Sequence, residues 1–190
     1  MSLPTSLLRR SADVRFPLTA PAILVAAILA VTLAVPAPAA AQGPAPAAAA
    51  PAAPAVPFTK KHIYSETADP KADIAAALVQ AKKEHKRVIL DFGGDWCGDC
   101  QVLDIYFHQA PNDELLAKHF VVVHVWVGHI DTNLDIMKKY GVSSQKGGVP
   151  GLAVLAPDGS VVFSQESGEF DRMRHMEASS VTEFLNKWKS

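Results

Sequence analysis

Cys97 and Cys100 are the only cysteines in the 190-residue sequence, and two residues separate them. Two thiols at this spacing can form one structural disulfide, act as a redox couple or supply half of a metal site. A zinc site would need two further ligands. Four histidines that follow the pair form no convincing Cys/His spacing with it: His108, His119, His124 and His129. The sequence therefore predicts a redox-active pair and no metal site.

The cysteine pair lies between an apolar run and a segment with helical periodicity. Val88-Ile89-Leu90 precedes it, and the apolar side chains that follow at helical spacing are Val102, Leu103, Tyr106 and Phe107. A strand, a loop and a helix are therefore predicted, with Cys97 where the helix begins. Unsatisfied N–H groups and the positive end of the helix dipole stabilise a thiolate at that position.

The remaining pattern from Phe58 onward predicts one α/β domain of 133 residues, which is long enough to bury a core. Asp69 and Pro70 read as a helix N-cap and the first helical residue. The other predicted elements are a strand over 87–92, helices over 98–109 and 112–119 with Asn112 as a cap, a strand over 120–127, a helix over 131–140, a hairpin of 152–156 with 161–164, and a last helix opening with a Ser180–Glu183 capping box. Helices in this order can cover both faces of a central mixed sheet.

Residues 1–41 resemble a signal peptide. Three arginines precede the run Ala22 to Val35, whose 14 residues contain one polar side chain, Thr32. A helix of this length spans about 21 Å, which is short of the roughly 30 Å hydrocarbon core of a membrane. Ala39-Ala40-Ala41 supplies a small-residue cleavage site. The alternative is an uncleaved N-terminal anchor, and either segment places the folded domain outside the cytoplasm.

Residues 42–57 are predicted to be a linker, because the stretch from Pro36 to Pro57 has seven prolines among 22 residues and no charge. Such a composition cannot bury a core and favours an extended spacer. The domain that follows, over 58–190, has 15 basic and 18 acidic residues. A net charge of about −3 gives no electrostatic reason to expect nucleic-acid binding.

From residue 60 to 190 the sequence resembles thioredoxin-fold proteins. The matching features are D-F-x-x-D-W-C-x-x-C over Asp91 to Cys100, the helix ending K-K-Y-G-V over 138–142, Val149-Pro150 before a hairpin, Gly168, and a C-terminal amphipathic helix. The resemblance implies a thioredoxin fold with a central mixed β-sheet of about four to five strands. Gly93 and Gly94 depart from the family, which often has an aromatic residue and an alanine there.

The resemblance also implies roles for the residues of the site. Cys97 would be the exposed attacking thiol and Cys100 the buried resolving thiol, with Asp91 as a buried carboxylate that takes the resolving thiol's proton. Pro150 would be a cis-proline beside the sulfurs, and Trp96 would help form the surface around Cys97. The residues expected to bind substrate are Trp96, Gly98, Asp99, Val149 and Pro150. The family often has a lysine near the buried carboxylate, and here the corresponding strand offers only His124.

The predicted function is that of an extracytoplasmic thiol–disulfide oxidoreductase that reduces or isomerises protein disulfides. Asp91, Asp95 and Asp99 flank the thiols, and nearby carboxylates raise the pKa of a thiol and favour reduction. Protein or small-molecule disulfides are the expected substrates, a membrane-bound electron donor is the expected partner, and no cofactor is expected. The alternatives are an oxidase that donates its disulfide and a binding module with little redox turnover. Asp95 and Asp99 can also be read as solvated turn and helix-start residues.

Overall fold

The computed structural model describes residues 57–145 and 148–190. The predicted leader (1–41) lies outside the described residues, as does the predicted linker (42–57) apart from Pro57. Within the described ranges no helix is long and apolar enough to cross a membrane. The leader and its cleavage therefore stay predictions from the sequence.

The element order follows the predicted sequence of helices and strands. In chain order the elements are α1 (Pro70–Glu84), β1 (Arg87–Gly93), α2 (Gly98–Phe107), α3 (Asn112–His119), β2 (Phe120–Trp126), α4 (Leu134–Lys139), β3 (Gly151–Leu155), β4 (Val161–Ser164), a 3-10 turn (Met173–His175) and α5 (Ala178–Trp188). Asp69 caps α1 as predicted, because its carboxylate accepts hydrogen bonds from the N–H groups of Lys71 and Ala72.

The four strands form one mixed sheet in the order β2-β1-β3-β4. β1 is parallel to β2 and antiparallel to β3, and β3 is antiparallel to β4. The register pairs Asp91 with His124 on β2 and with Leu152 on β3. The predicted mixed sheet with helices is therefore confirmed, with four strands in the described part of the chain.

Two apolar cores lie on opposite faces of the sheet. α1 and α4 cover one face, where Val88, Leu90 and Phe92 of β1 pack. Helices α2, α3 and α5 cover the other face, where Ile89 of β1 packs. Because side chains alternate along a strand, Asp91 points to the same face as Ile89 and lies under α2.

The helix over 112–119 has its predicted bounds, but the predicted cap at Asn112, the predicted capping box at Ser180 and the predicted start of α4 were wrong. Asn112 is the first residue of α3 and not its cap; its buried amide donates to the Tyr106 carbonyl and its amide oxygen accepts from Thr182. α5 begins at Ala178, so Ser180 lies inside the helix and forms no capping box. α4 begins only at Leu134, because Ile130 and Asn133 adopt left-handed backbone angles that interrupt a helix.

The segment before α1 packs along α2. The buried amide of Gln101 accepts from the N–H of Lys61 at 2.8 Å and donates to the Lys61 carbonyl at 2.9 Å. The Lys61 ammonium lies 3.1 Å from Asp104. This segment therefore forms one wall of the region around the cysteines, although no periodic pattern in the sequence marks it.

Candidate active site

Cys97 and Cys100 form a disulfide at the N-terminus of α2, with their Cα atoms 5.2 Å apart. Cys97 is the N-cap residue, and its sulfur accepts a hydrogen bond from the Cys100 N–H at 3.1 Å. Cys97 is 5% exposed and Cys100 is fully buried. Cys97 is therefore not the exposed thiol that the resemblance implied, although it retains more surface than Cys100. A helix N-terminus with an N–H aimed at sulfur gives Cys97 an electrostatic setting that stabilises a thiolate.

Asp91 lies in a buried polar cluster beneath α2. Its Oδ2 accepts a hydrogen bond from the Tyr64 hydroxyl at 2.8 Å and lies 2.8 Å from His124 Nδ1. Its Oδ1 is buried and has no hydrogen-bond partner among the described residues. Asp91 is only 2% exposed, so this buried carboxylate has an imidazole partner, a hydroxyl partner and one oxygen without a hydrogen bond among the described residues.

The cluster shifts the ionisation of both partners of Asp91. Burial lowers the pKa of His124, but the hydrogen bond and the negative charge of Asp91 outweigh that effect and raise the pKa above its ordinary value. Burial, followed by the charge of Asp91, raises the pKa of Tyr64 well above its ordinary value. His124 is thus held toward its protonated form and Tyr64 stays a hydrogen-bond donor.

Gly93 explains how Tyr64 approaches the disulfide. A Cβ atom at Gly93 would lie 2.5 Å from the Tyr64 hydroxyl oxygen and 2.9 Å from Cys100 Sγ, closer than real Cβ contacts. The missing side chain therefore makes room for the phenol ring next to the resolving sulfur. Gly93, the last residue of β1, is one of the positions at which the sequence departs from the family. The space that a larger residue would fill there is occupied by Tyr64, which comes from the segment before α1.

Asp95 is bound by the segment before α1 and is not a solvated turn residue. Its Oδ1 accepts hydrogen bonds from the N–H groups of Ile63 at 2.8 Å and Tyr64 at 3.0 Å, and its Oδ2 pairs with His62. Partial burial raises the pKa of Asp95, but these backbone and histidine hydrogen bonds outweigh it and leave the pKa below its ordinary value. Its carboxylate is therefore ionised and already paired.

Asp99, between the cysteines, is paired with Arg174. The Arg174 backbone N–H donates to Oδ1 at 2.8 Å, and the guanidinium donates to Oδ2 through Nε at 3.2 Å and Nη2 at 3.1 Å. Asp99 is 8% exposed. The interpretation as a solvated residue is wrong here too, and the carboxylate faces the 3-10 turn rather than the surface around Cys97.

Trp96 and the Val149-Pro150 loop flank Cys97. Trp96 is 39% exposed, its indole N–H donates to the Gly128 carbonyl at 2.6 Å, and its ring stacks on His129 with centroids 5.2 Å apart. The Val149 carbonyl oxygen lies 3.6 Å from Cys97 Sγ, and the Val149-Pro150 bond is cis. An exposed indole and a backbone acceptor thus lie on either side of the sulfur that a substrate must reach.

The structure brings most of the sequence-predicted site residues together and adds residues that the sequence did not indicate. Cys97 is bonded to Cys100 and lies 3.6 Å from the Val149 carbonyl oxygen, exposed Trp96 precedes it in the chain, and Asp91 lies in the buried cluster beneath α2. The added residues are Tyr64, His62, Arg174 and, against Gly98, Phe58. His124 was the only basic residue on its strand that the sequence offered as a partner for Asp91. Pairing the two strands in parallel from residue 87 would have predicted that His124 lies beside Asp91.

No group of three or more His, Cys, Asp or Glu side chains within the described ranges is arranged to hold a metal ion. The cavities flanking His124 on either side of β2 are lined mainly by apolar side chains with few convergent polar groups. The Cys97–Cys100 disulfide is the group at this site that can carry out thiol–disulfide exchange.

Comparison with known proteins agrees with the fold. Residues 69–157 match the sequence model of a family described as thioredoxin-like. The structure is similar to that of a disulphide isomerase from Xylella fastidiosa Temecula1, with 35% identity and a TM-score of 0.63 over 68% of this chain and 98% of that chain.

Two curated relatives match shorter segments. One is a thioredoxin H-type of Chlamydomonas reinhardtii, 40% identical over 45 residues, which are 24% of this chain and 40% of the relative. The other is thioredoxin-T of Drosophila melanogaster, 37% identical over 75 residues, which are 39% of this chain and 43% of the relative. The chain spans less than half the length of these two relatives.

The four-stranded mixed sheet, the helix beginning at a C-x-x-C disulfide and the adjacent Val149-Pro150 loop define a redox protein of thioredoxin fold. The chain belongs to the thioredoxin-like family. The family assignment and the Cys97–Cys100 disulfide support the enzyme class predicted from the sequence, a thiol–disulfide oxidoreductase.

Proposed function

We propose that the protein is an extracytoplasmic thiol–disulfide oxidoreductase that reduces or isomerises protein disulfides. The observation that carries this proposal is the asymmetry of the Cys97–Cys100 disulfide. Cys97 caps α2 and retains surface beside the Val149 carbonyl, whereas Cys100 is fully buried. One sulfur is thus placed to meet a substrate and the other to resolve the complex.

The reaction begins with the reduced protein. The Cys97 thiolate attacks one sulfur of a substrate disulfide, that S–S bond breaks, and the second substrate sulfur leaves as a thiolate. The Cys100 thiolate then attacks the Cys97 sulfur, forms the Cys97–Cys100 bond and releases the first substrate sulfur. The substrate gains two electrons and the protein loses two. In isomerisation a second substrate thiol resolves the mixed disulfide instead, with no net electron transfer.

Asp91 accepts the proton of Cys100 in the resolving step. The supporting observations are its burial beneath α2, its free Oδ1 and the Tyr64 hydroxyl that lies beside both Asp91 and the Cys100 sulfur. Partly exposed His124 contacts the same carboxylate oxygen as Tyr64, which leaves Oδ1 for the proton. A buried base is needed because a thiol in an apolar setting ionises poorly.

The substrate chain binds across the surface formed by Trp96, Gly98, Val149 and Pro150. The exposed indole offers apolar area, and the Val149 carbonyl offers a hydrogen-bond acceptor next to the sulfur. Asp99 lies in the same loop, but Arg174 occupies its carboxylate. Its influence on a substrate is therefore electrostatic rather than by direct contact.

The location and the electron source rest on the sequence. The segment 1–41 has the features of a signal peptide or an anchor, and residues 42–57 those of a spacer. An extracytoplasmic reductant must be re-reduced, and the sequence has no electron carrier other than its two thiols, so a membrane-bound dithiol donor is the partner we propose. Cell fractionation with an antibody against the domain tests the location; recovery only in the cytoplasm rejects it.

The direction of electron flow has two candidates. The name of the Xylella relative supports isomerisation. An oxidase is the second candidate, because Asp91, Asp95 and Asp99 all have hydrogen-bonding partners and oppose the thiolate less than three free carboxylates would. Equilibration with glutathione measures the reduction potential of the Cys97–Cys100 couple and decides between the two directions. A potential of about −270 mV supports a reductase, and one more positive than about −180 mV rejects it.

Turnover and substrates are tested with two cysteine variants. Insulin reduction should proceed with the wild type and stop with Cys97→Ser; thiol-independent or absent activity in the wild type would instead favour a binding module. Cys100→Ser should accumulate mixed disulfides with its substrates, because the resolving thiol is missing. Cys97→Ser is the matched control, since it should trap nothing.

A further inference from the structure

Arg174 contacts Gly98 and Asp99, the two residues between the cysteines and the first two of α2. Its guanidinium and its backbone N–H all donate to the Asp99 carboxylate. A Cβ atom at Gly98 would lie 3.2 Å from Arg174 Cδ and 3.3 Å from Nε. The side chain therefore packs directly over Gly98, the residue that follows Cys97.

The turn that carries Arg174 is anchored from both sides. Met173 is fully buried in the core between α2 and α5. The hydroxyl of Tyr106 on α2 donates to the Met176 carbonyl at 2.9 Å. Phe58 packs against the same glycine from the segment before α1, with Cζ 3.3 Å from the position of a Gly98 Cβ. The backbone of the turn is thus fixed by packing, and the half-exposed Arg174 side chain extends from it over the first turn of α2.

An ionised Asp99 without a partner would oppose a thiolate on Cys97, which lies two residues away. A guanidinium donating to that carboxylate cancels most of its charge. We propose that Arg174 is a positioning residue that sets the stability of the Cys97 thiolate by neutralising Asp99 and holding its carboxylate away from the sulfur. This inference rests on the proposed function only in that the thiolate is the reacting group.

The other charged groups around the cysteines belong to separate contacts. Asp95, in the loop before α2, is paired with His62. His129, in the loop after β2, stacks on Trp96. Asp91, beneath α2, is in the cluster with His124 and Tyr64. Lys61 is paired with Asp104 further along α2. None of these groups has a hydrogen bond to Asp99 or Arg174 among those found in the described part of the chain, so the two can be varied as a pair.

The test compares Arg174→Met, Asp99→Asn and the double variant in the full-length protein. In Arg174→Met the backbone N–H at 174 still donates to Asp99, so the variant removes the charge and keeps one anchor. Asn at 99 keeps the shape and loses the charge. Lys71→Met is the matched control, because it removes one cation from an exposed pair with Asp135 on the opposite face.

The readout is the pKa of the Cys97 thiol, measured in the reduced protein by the ultraviolet absorbance of the thiolate or by the pH dependence of alkylation. Arg174→Met should raise it and Asp99→Asn should lower it, each by about half to one unit. The double variant should lie between the two. For Asp99→Asn the equilibrium with glutathione should become more oxidising by up to about tenfold, which is about 30 mV.

Charge compensation predicts that the pKa of the Cys97 thiol shifts in opposite directions in Arg174→Met and Asp99→Asn. A merely structural role would shift this pKa in the same direction in both variants. Equal signs, or shifts no larger than that of Lys71→Met, overturn the inference. Where Arg174→Met fails to fold, Asp99→Asn decides alone. A lowered pKa of the Cys97 thiol in Asp99→Asn supports the inference, and an unchanged or raised pKa overturns it. The thiol titration needs no substrate, so a protein inactive on insulin rejects the proposed function without deciding this point.

Discussion

The pair formed by His124 and Asp91 should make the stability of the fold depend on pH. His124 Nδ1 lies 2.8 Å from Asp91 Oδ2, and their side chains are 28% and 2% exposed. Burial lowers the pKa of His124, yet the bond to Asp91 and its charge raise it above the ordinary value of about 6.5. The folded protein therefore holds a proton on this ring that the unfolded chain releases.

The direction of the pH dependence follows from the difference between the His124 pKa in the folded state and in the unfolded state. Below about pH 6.5 the ring is protonated in both states, and the charged pair contributes its full stabilisation. As the pH rises through the raised folded-state pKa of His124, the folded protein loses the proton and the charge-dependent part disappears. A hydrogen bond to a charged group contributes about 1.5–3 kcal/mol. His124→Gln should therefore lower the free energy of unfolding by about that much in acid and by less in alkali.

Urea unfolding of the oxidised protein measures the effect at about pH 5.5, 7 and 9, with the wild type and His124→Gln compared at each pH. His119→Gln is the control, because that exposed ring has only a 3.2 Å contact to the Ser190 hydroxyl. A difference between wild type and His124→Gln that is constant with pH, or that grows toward alkali, would refute the reasoning.

Three further predictions concern the residues around Asp91. Gly93→Ala should cost about 1–3 kcal/mol in urea unfolding, because its Cβ would collide with the Tyr64 hydroxyl and the Cys100 sulfur. Tyr64→Phe should cost about 1–2 kcal/mol in the same assay, since Asp91 loses a buried donor at 2.8 Å. Asp91→Asn should slow the attack of Cys100 on a mixed disulfide by on the order of 10²-fold, followed by rapid mixing, while the first attack by Cys97 changes less.

Each of these three has an outcome that contradicts it. Wild-type stability of Gly93→Ala would show that Tyr64 does not need the space above the glycine. An unchanged Tyr64→Phe would show that its hydroxyl does not stabilise the carboxylate. Equal slowing of both steps in Asp91→Asn would indicate general damage to the site. Asp104→Asn is the control for removing a buried carboxylate, because Asp104 lies on α2 and pairs with Lys61 rather than with Tyr64 or His124.

Much of the fold was predicted from short-range patterns in the sequence. The apolar run before Cys97, the helical spacing after it, the Asp69-Pro70 cap and the turn between the hairpin strands each involve residues a few positions apart, and the structure has all four elements where these signals lie. Such signals are readable because helix and strand periodicity are properties of neighbouring residues. The cap at Asn112 failed because its side chain bonds to Thr182, 70 residues away. The capping box at Ser180 failed because α5 begins two residues earlier and the Ser180 hydroxyl donates to the Glu177 carbonyl.

By itself the sequence determined the element order, the thioredoxin-like fold and the position of Cys97 at the start of a helix. Only the tertiary structure decided what surrounds the three aspartates near the cysteines. Tyr64 and His124 reach Asp91 from 27 and 33 residues away, and Arg174 reaches Asp99 from 75 residues away. Those contacts depend on strand register and on the path of two irregular segments, which no local periodicity encodes. The charge on each aspartate was visible in the sequence, whereas the partner that compensates it was fixed by packing.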